Sequence, residues 1–335
     1  MTFLRKLNTA LIVLGGLTLI LFGSAQANPD RWRAEGWAKT DFSKSSIEFN
    51  EILSGGPPKD GIPSIDKPQF KPIADIDNIA DQAPVIGLTI EGDARAYPLS
   101  ILMWHEIVND TVGNKPVTVT YCPLCNAALV FDRKVDGKTL DFGTTGKLRK
   151  SDLVMYDRQT ETWWQQFTGE AIVGSMLGAE LALIPSRLES FGEFKKRHPH
   201  GKVLIPNNPR MRNYGRNPYV GYDTAARPFL YKGSMPKGID PMARVVVVRV
   251  AKEPTAVSLS LLREQKSIKV SGVTLSWRPG QASALDTSEI AKGRDVGTVL
   301  AQRADGSGKL KDVAYDVTFA FVFHAFHPKQ QIRTN

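Results

Sequence analysis

VTVTYCPLCNAALVF, residues 117–131, holds both cysteines of the 335-residue chain, three positions apart. Val117 and Val119 alternate with Thr118 and Thr120, and with Tyr121 this β-branched and aromatic run reads as a strand entering Cys122. The thiols therefore fall in a turn. Beyond Cys125 no amphipathic period begins: Ala127 to Phe131 is a short apolar run, and Asp136-Gly137 is a tight-turn pair leading into Lys138 to Phe142. The stretch predicts strand, Cys-Pro-Leu-Cys turn, strand, turn, strand.

A thioredoxin-type Cys-x-x-Cys opens a helix whose N-terminal dipole lowers the thiol pKa. Without that helix, the turn reads as one knuckle of a zinc-ribbon or rubredoxin-like site, with turn amides and both sulfurs facing one metal. Asn126 suits the position after such a turn, because Asn tolerates positive φ. One knuckle supplies half of a tetrahedral site, so the remaining donors must come from elsewhere in the chain.

The cysteine stretch has an echo. VTLSWRPGQASAL, from Val273, aligns on VTVTYCPLCNAAL without a gap, with five identities. Ala256, Leu259 and Leu262 stand 160 positions after Ala96, Leu99 and Leu102, and Val246 to Val250 repeats the pattern of Ile86 to Ile90. This predicts an internal duplication, residues 84–243 and 244–335. In the second copy Arg278 and Gln281 replace Cys122 and Cys125, and Gln265 stands in the place of His105. A turn that folds without cysteines in one copy has no folding need of them in the other, so the chemistry is assigned to the first.

Ahead of the repeat, residues 28–83 are rich in Pro, Gly, Asp and Lys and predict an extended arm. Residues 1–27 read as a signal peptide: Arg5 and Lys6, the apolar run Leu11 to Phe22, then Ala25-Gln26-Ala27 at the cleavage point. The expectation is a periplasmic or secreted protein beginning at Asn28, with no stable membrane span after cleavage. Loss of Arg5 and Lys6 takes the net charge from +9 to +7. That modest excess, with no sustained basic run, excludes nucleic acid as the expected partner of an exported protein.

Within the first copy, Val85 to Ile90 and Ala94 to Tyr97 predict strands. Pro98 starts a helix to about Val108, with His105 and Glu106 near its end. A further helix is expected over Leu188 to Arg197. Asn207 to Arg227 interleaves Arg210, Arg212, Arg216 and Arg227 with tyrosines, a solvated loop in preference to an anion site. Tyr315 to Phe326 is so apolar that it predicts a buried central strand, with His324 and His327 at its end. Odd spacing sets these two on opposite faces of a strand, and His327 is favoured as the ligand.

From Val85 to Asp157 the chain resembles the uncharacterised family catalogued as domain of unknown function 3179. ARAYPLSILMWHEIVND, VTVTYCPLCNAALVFDR and SDLVMYDRQTETWWQQFTGEAIVG carry the resemblance, with AFHP near the end. It implies no established reaction. Some relatives are labelled selenoproteins, with selenocysteine at the cysteine turn, which implies redox work. Asn126, where Gly is commoner, and His324 depart from the pattern.

The reading is a β-rich α+β fold of two related halves, with one short helix in each and an irregular N-terminal arm; two adjacent domains divided near residue 235 are the alternative. Cys122, Cys125, His105 and His327 are the expected copper or zinc ligands, with a redox role. Both histidines are then expected within about 5 Å of the sulfurs. The second reading is a thiol-disulfide or peroxide oxidoreductase with Cys122, Cys125 and Glu106 catalytic, acting on a redox partner or small-molecule substrate. The third is a binding module with a structural disulfide and a ligand near Trp163, Trp164 and the arginine-rich loop.

Overall fold

Valine-rich hairpins closed by tight turns, each followed by a two-turn helix, build the protein twice over. The computed structural model describes residues 28–251 and 253–335; the expected signal peptide, residues 1–27, lies outside them. In the first half, β1 (Pro84–Ile90), β2 (Asp93–Pro98), α1 (Leu99–His105), β3 (Ile107–Val112), β4 (Lys115–Cys122) and β5 (Ala127–Asp132) are followed by an insertion. The insertion carries the hairpin β6 (Phe142–Arg149) and β7 (Asp152–Asp157), and the half closes with β8 (Arg187–Ser190), α2 (Phe191–Arg197) and β9 (Lys202–Ile205). The second half runs β10 (Arg244–Val248), β11 (Thr255–Ser258), α3 (Leu259–Gln265), β12 (Ser267–Val270), β13 (Val273–Arg278), β14 (Thr298–Ala304), β15 (Tyr315–Phe319), α4 (Ala320–Phe326) and β16 (Ile332–Arg333).

The duplication extends to strand register. Val247 pairs with Asp316 as Gly87 pairs with Arg187, and Ala256 with Ile332 as Ala96 with Val203. Ser267 pairs with Ser276 as Ile107 with Thr120, and Arg278 with Thr298 as Cys122 with Ala127. A one-residue slip would turn each strand's apolar set to the opposite face, so agreement at every rung marks two copies of one design. A small cavity between the halves is lined by repeat-related pairs, Pro84 with Arg244, Leu99 with Leu259, Asn126 with Gly297 and Leu188 with Val317, as an approximate two-fold axis requires.

Several expectations are corrected. Tyr315 to Phe326 is not one strand but β15 followed by α4; Ala320, Phe321, Val322, Phe323 and Ala325 are all buried, and a helix whose one polar side chain is His324 leaves too little period to distinguish it from a strand. Each half therefore has two helices, not one. The first ends at His105, and Ile107, Val108 and Asn109 already belong to β3. The second begins at Phe191, because Arg187–Ser190 pairs with β1. The gapless alignment through the cysteine turn also fails beyond Arg278: the second copy inserts a long excursion there, and the strand resumes at Thr298. Gly297 (φ 75°) then occupies the place of Asn126 (φ 52°), so positive φ before this strand belongs to the scaffold.

One apolar core runs through both halves, from Tyr97, Val119 and Phe131 to Leu275, Phe319 and Phe321. The halves are thus not adjacent domains. The N-terminal arm is irregular, as expected, with one short helix (Pro29–Ala34) and two short strands, and packs Trp32, Trp37 and Phe42 against Trp163 in a second cluster. Trp163 and Trp164 are fully buried, which removes the ligand surface that the third reading needed.

Candidate metal centre

β4 delivers Cys122 at its end, and the N–H of Cys125 donates to the Cys122 carbonyl (3.2 Å) to close the turn. Both thiols are buried and neither forms a disulfide. Opposite them, β6 and β7 are joined by two residues, Lys150 (φ 56°) and Ser151 (φ 68°), between the paired Arg149 and Asp152. A two-residue hairpin of this hand needs positive φ at both positions, normally supplied by Asn or Gly. Here two residues with full side chains adopt it, at a cost of about 1 kcal/mol or more each. The result aims the Ser151 carbonyl at the thiols, 3.5 Å from Cys125 Sγ and 4.0 Å from Cys122 Sγ.

The same hairpin starts β7 with Asp152. One donor atom from each of Cys122, Cys125 and Asp152 lies within 4.8 Å of the other two, the one such trio of metal-capable side chains among the described residues. Asp152 Oδ2 accepts from Gln165 Nε2 (2.6 Å) and from the Phe167 N–H (2.8 Å), while Oδ1 accepts no hydrogen bond from the protein. Burial pushes the Asp152 carboxyl up to about 6. Burial, and then the Asp152 charge, push Glu106 up to about 8. Both thiols also titrate above their ordinary value, Cys125 well above, with burial as the first cause and the neighbouring acidic groups adding to it.

Glu106 owes its place to an unusual helix end. It caps α1 at φ 58°, ψ −32°, and Lys266 caps α3 at φ 63°, ψ −30°. Since the second half keeps this strained backbone without the cysteines, the conformation is part of the fold, and what changes between the copies is a carboxyl for an ammonium.

A long connection, residues 206–243, roofs the turn, and its one helical element is the single turn Tyr222–Thr224. Tyr222 Oη donates to the Leu124 carbonyl (3.1 Å) and accepts from the Phe229 N–H (3.2 Å), and Ser151 Oγ donates to the Phe229 carbonyl (2.6 Å). Asp223 anchors the connection to the second half between Arg244 (2.9 Å) and Arg294 (2.8 Å).

Of the residues singled out from sequence, Cys122 and Cys125 come together, with Asp152; Glu106 lies outside the trio, buried and near enough for its charge to raise the Cys122 thiol. His105 does not join the cluster: its Nδ1–H donates to the Pro63 carbonyl (2.7 Å) and its Nε2 accepts from Tyr214 Oη (2.7 Å), so both nitrogens are occupied in fastening the arm and the roof. His327 caps α4 beside Phe323 and Phe167, and is likewise outside the trio. Burial lowers it to about 4. His324, three residues back on the same helix, contacts Ser234 Oγ (3.1 Å). The residue that sequence reasoning missed is Asp152; its only signal was position, an acid immediately ahead of the apolar run LVMY.

The geometry defines a buried cluster of two thiols and the Asp152 carboxyl, with the buried Glu106 nearby, on a duplicated β-rich scaffold. Residues 59–330 match the family described as Protein of unknown function (DUF3179), and the chain belongs to that family. No curated protein and no solved structure matches it.

Proposed function

We propose that this is an exported metal-thiolate protein, periplasmic or secreted, in which Cys122, Cys125 and Asp152 hold one copper or zinc ion with Glu106 as the fourth donor. The observation that carries the reading is the donor set. Cys122, Cys125 and Asp152 converge out of contact with water, with Glu106 nearby; burial raises the pKa of all four, and a cation would relieve that cost by replacing their protons. Two thiolates select a soft or borderline metal over magnesium or calcium, and the carboxyl of Asp152 replaces the imidazole expected from sequence. With copper the centre would exchange electrons with a redox partner; with zinc it would act as a Lewis acid on a small substrate or simply brace the fold.

The dithiol oxidoreductase is the second reading, favoured by two adjacent sulfurs beside Asp152 as a proton acceptor. Against it stand the raised thiol pKa values and the burial of both sulfurs, which leave little thiolate at neutral pH and no approach for a protein disulfide. Elemental mass spectrometry on protein taken from its own compartment, with free thiols counted on the same sample, separates the two. The metal reading expects near-stoichiometric copper or zinc, lost in Cys122→Ser and Asp152→Asn and retained in His105→Ala. Metal-free protein whose two thiols cycle reversibly would replace it with the dithiol.

A further inference from the structure

Four large apolar side chains are exposed among the described residues, and three of them, Met211 (45 %), Val220 (59 %) and Phe229 (57 %), lie in the roof over the cysteine turn. They recur every nine residues. The roof, residues 206–243, also carries Arg210, Arg212, Arg216, Arg227, Lys232 and Lys237 against two acids, Asp223, which is buried between two arginines, and the exposed Asp240. Of the six cations only Arg216 has an ion-pair partner, Glu289, among the described residues. Met211 is flanked on both sides by arginine, and Phe229 follows Arg227 by two residues.

We propose that this roof docks on an anionic lipid surface, with Met211, Val220 and Phe229 entering the headgroup boundary and the unpaired arginines and lysines held at lipid phosphates. Isolated exposed apolar side chains are ordinary; their concentration on one cationic segment is not. The pattern selects a membrane over a protein partner. A stable protein interface needs a contiguous, shape-matched apolar centre, whereas separate apolar tips among cations suit a planar anionic surface that demands no shape. No helix of the described residues is long and apolar enough to cross a membrane, and the contact proposed is a peripheral one, of side-chain tips at the headgroups. The inference stands apart from the metal reading, since nothing in it involves the cysteines.

Cosedimentation with vesicles tests it, using the chain from Asn28, which contains the whole described fold, so that the apolar run Leu11 to Phe22 contributes nothing. Binding is expected to vesicles of phosphatidylglycerol and phosphatidylcholine and not to phosphatidylcholine alone. It should weaken about fivefold for each of R210Q, R212Q and R227Q, and be lost at ~0.5 M salt. The triple variant M211S/V220S/F229S, changed only at exposed side chains, should bind about tenfold less or worse with an unaltered thermal midpoint. Equal sedimentation of the parent and triple variant, or none with anionic vesicles, overturns the proposal. A dimer that the triple variant abolishes, without vesicle binding, overturns it in favour of a second copy of the chain. Binding to a soluble acidic protein in place of vesicles does so in favour of a protein partner.

Discussion

Glu106 and Lys266 share one backbone conformation and differ in charge, and the consequence of that difference is legible in pH. The ordinary carboxyl pKa is 4.5, while Glu106 in the folded chain titrates near 8. Between those values the unfolded chain has released a proton that the folded chain keeps, so folding stability falls as pH rises. His327 acts in the opposite sense between about 4 and 6.5, because there the unfolded imidazole is charged and the buried one is not. Above 6.5 that term has ended. Asp316, pushed up to about 7 by burial, adds to the decline at the start of the window. Metal-free protein is therefore expected to lose up to about 2 kcal/mol between pH 6.5 and 8. Thermal midpoints in chelator measure this. The slope should be shallower in Glu106→Gln, and an unchanged slope in that variant would show that the carboxyl is not held protonated. Asn126 makes a second test at this scale, since it combines positive φ with a 2.7 Å bond from Nδ2 to the Val317 carbonyl. Asn126→Ala should cost about 2 kcal/mol in chemical denaturation and, on the proposed metal reading, weaken metal binding, while Asn126→Gly, which restores the backbone freedom, should recover part of the loss.

Among the elements, the roof decides access to the thiols. Tyr222 Oη ties it to the turn by donating to the Leu124 carbonyl and braces it internally by accepting from the Phe229 N–H, next to the bond from Ser151 Oγ to the Phe229 carbonyl. Tyr222→Phe keeps the ring beside Phe319 and removes both bonds, worth about 1 to 2 kcal/mol together. Labelling of Cys122 and Cys125 by a small thiol reagent is then expected to quicken roughly tenfold with circular dichroism unchanged. A labelling rate equal to that of the parent would locate the opening elsewhere. This scale also shows where sequence stops being informative. Alternation and turn residues reveal β1, β2, β4, β5, the Asp136-Gly137 hairpin and the non-helical cysteine turn, because half-buried strands write their period into the chain; β3 reads as the end of α1, since Ile107 and Val108 continue its apolar run. α4 reads as a strand because five of its seven residues are buried and His324 is its one polar side chain, too little to mark a helical period. The Lys150-Ser151 hairpin was invisible because its residues are poor at the conformation they adopt, and with it went Asp152. Strain at a site is held by tertiary packing, which a local pattern does not record.

At the scale of the whole molecule, the half without cysteines holds the site of the other. The Cys125 carbonyl accepts from Thr318 Oγ1 (2.7 Å) and the Phe319 N–H (3.3 Å), and the Ala128 N–H donates to Asp316 Oδ1 (3.2 Å). All three partners lie on β15. The reciprocal contact lies on the other side of the axis, where the Ser190 N–H donates to Thr298 Oγ1 (3.2 Å) and Arg187 pairs with Asp312 (2.6 Å). Each half thus completes its neighbour's buried edge, and a chain lacking one half would leave backbone groups and a large apolar face exposed. The copy without cysteines still serves the site, because it supplies the rigid wall against which the turn is set. The expected outcome is that residues 28–243 alone melt without a cooperative transition and expose both thiols at the rate of an unfolded peptide. Addition of residues 244–335 in trans should restore thiol protection and a single transition, seen together by tryptophan fluorescence and far-ultraviolet circular dichroism. If residues 28–243 melt cooperatively with protected thiols, the halves are independent, and the geometry of the cysteine turn must be secured within the first half alone.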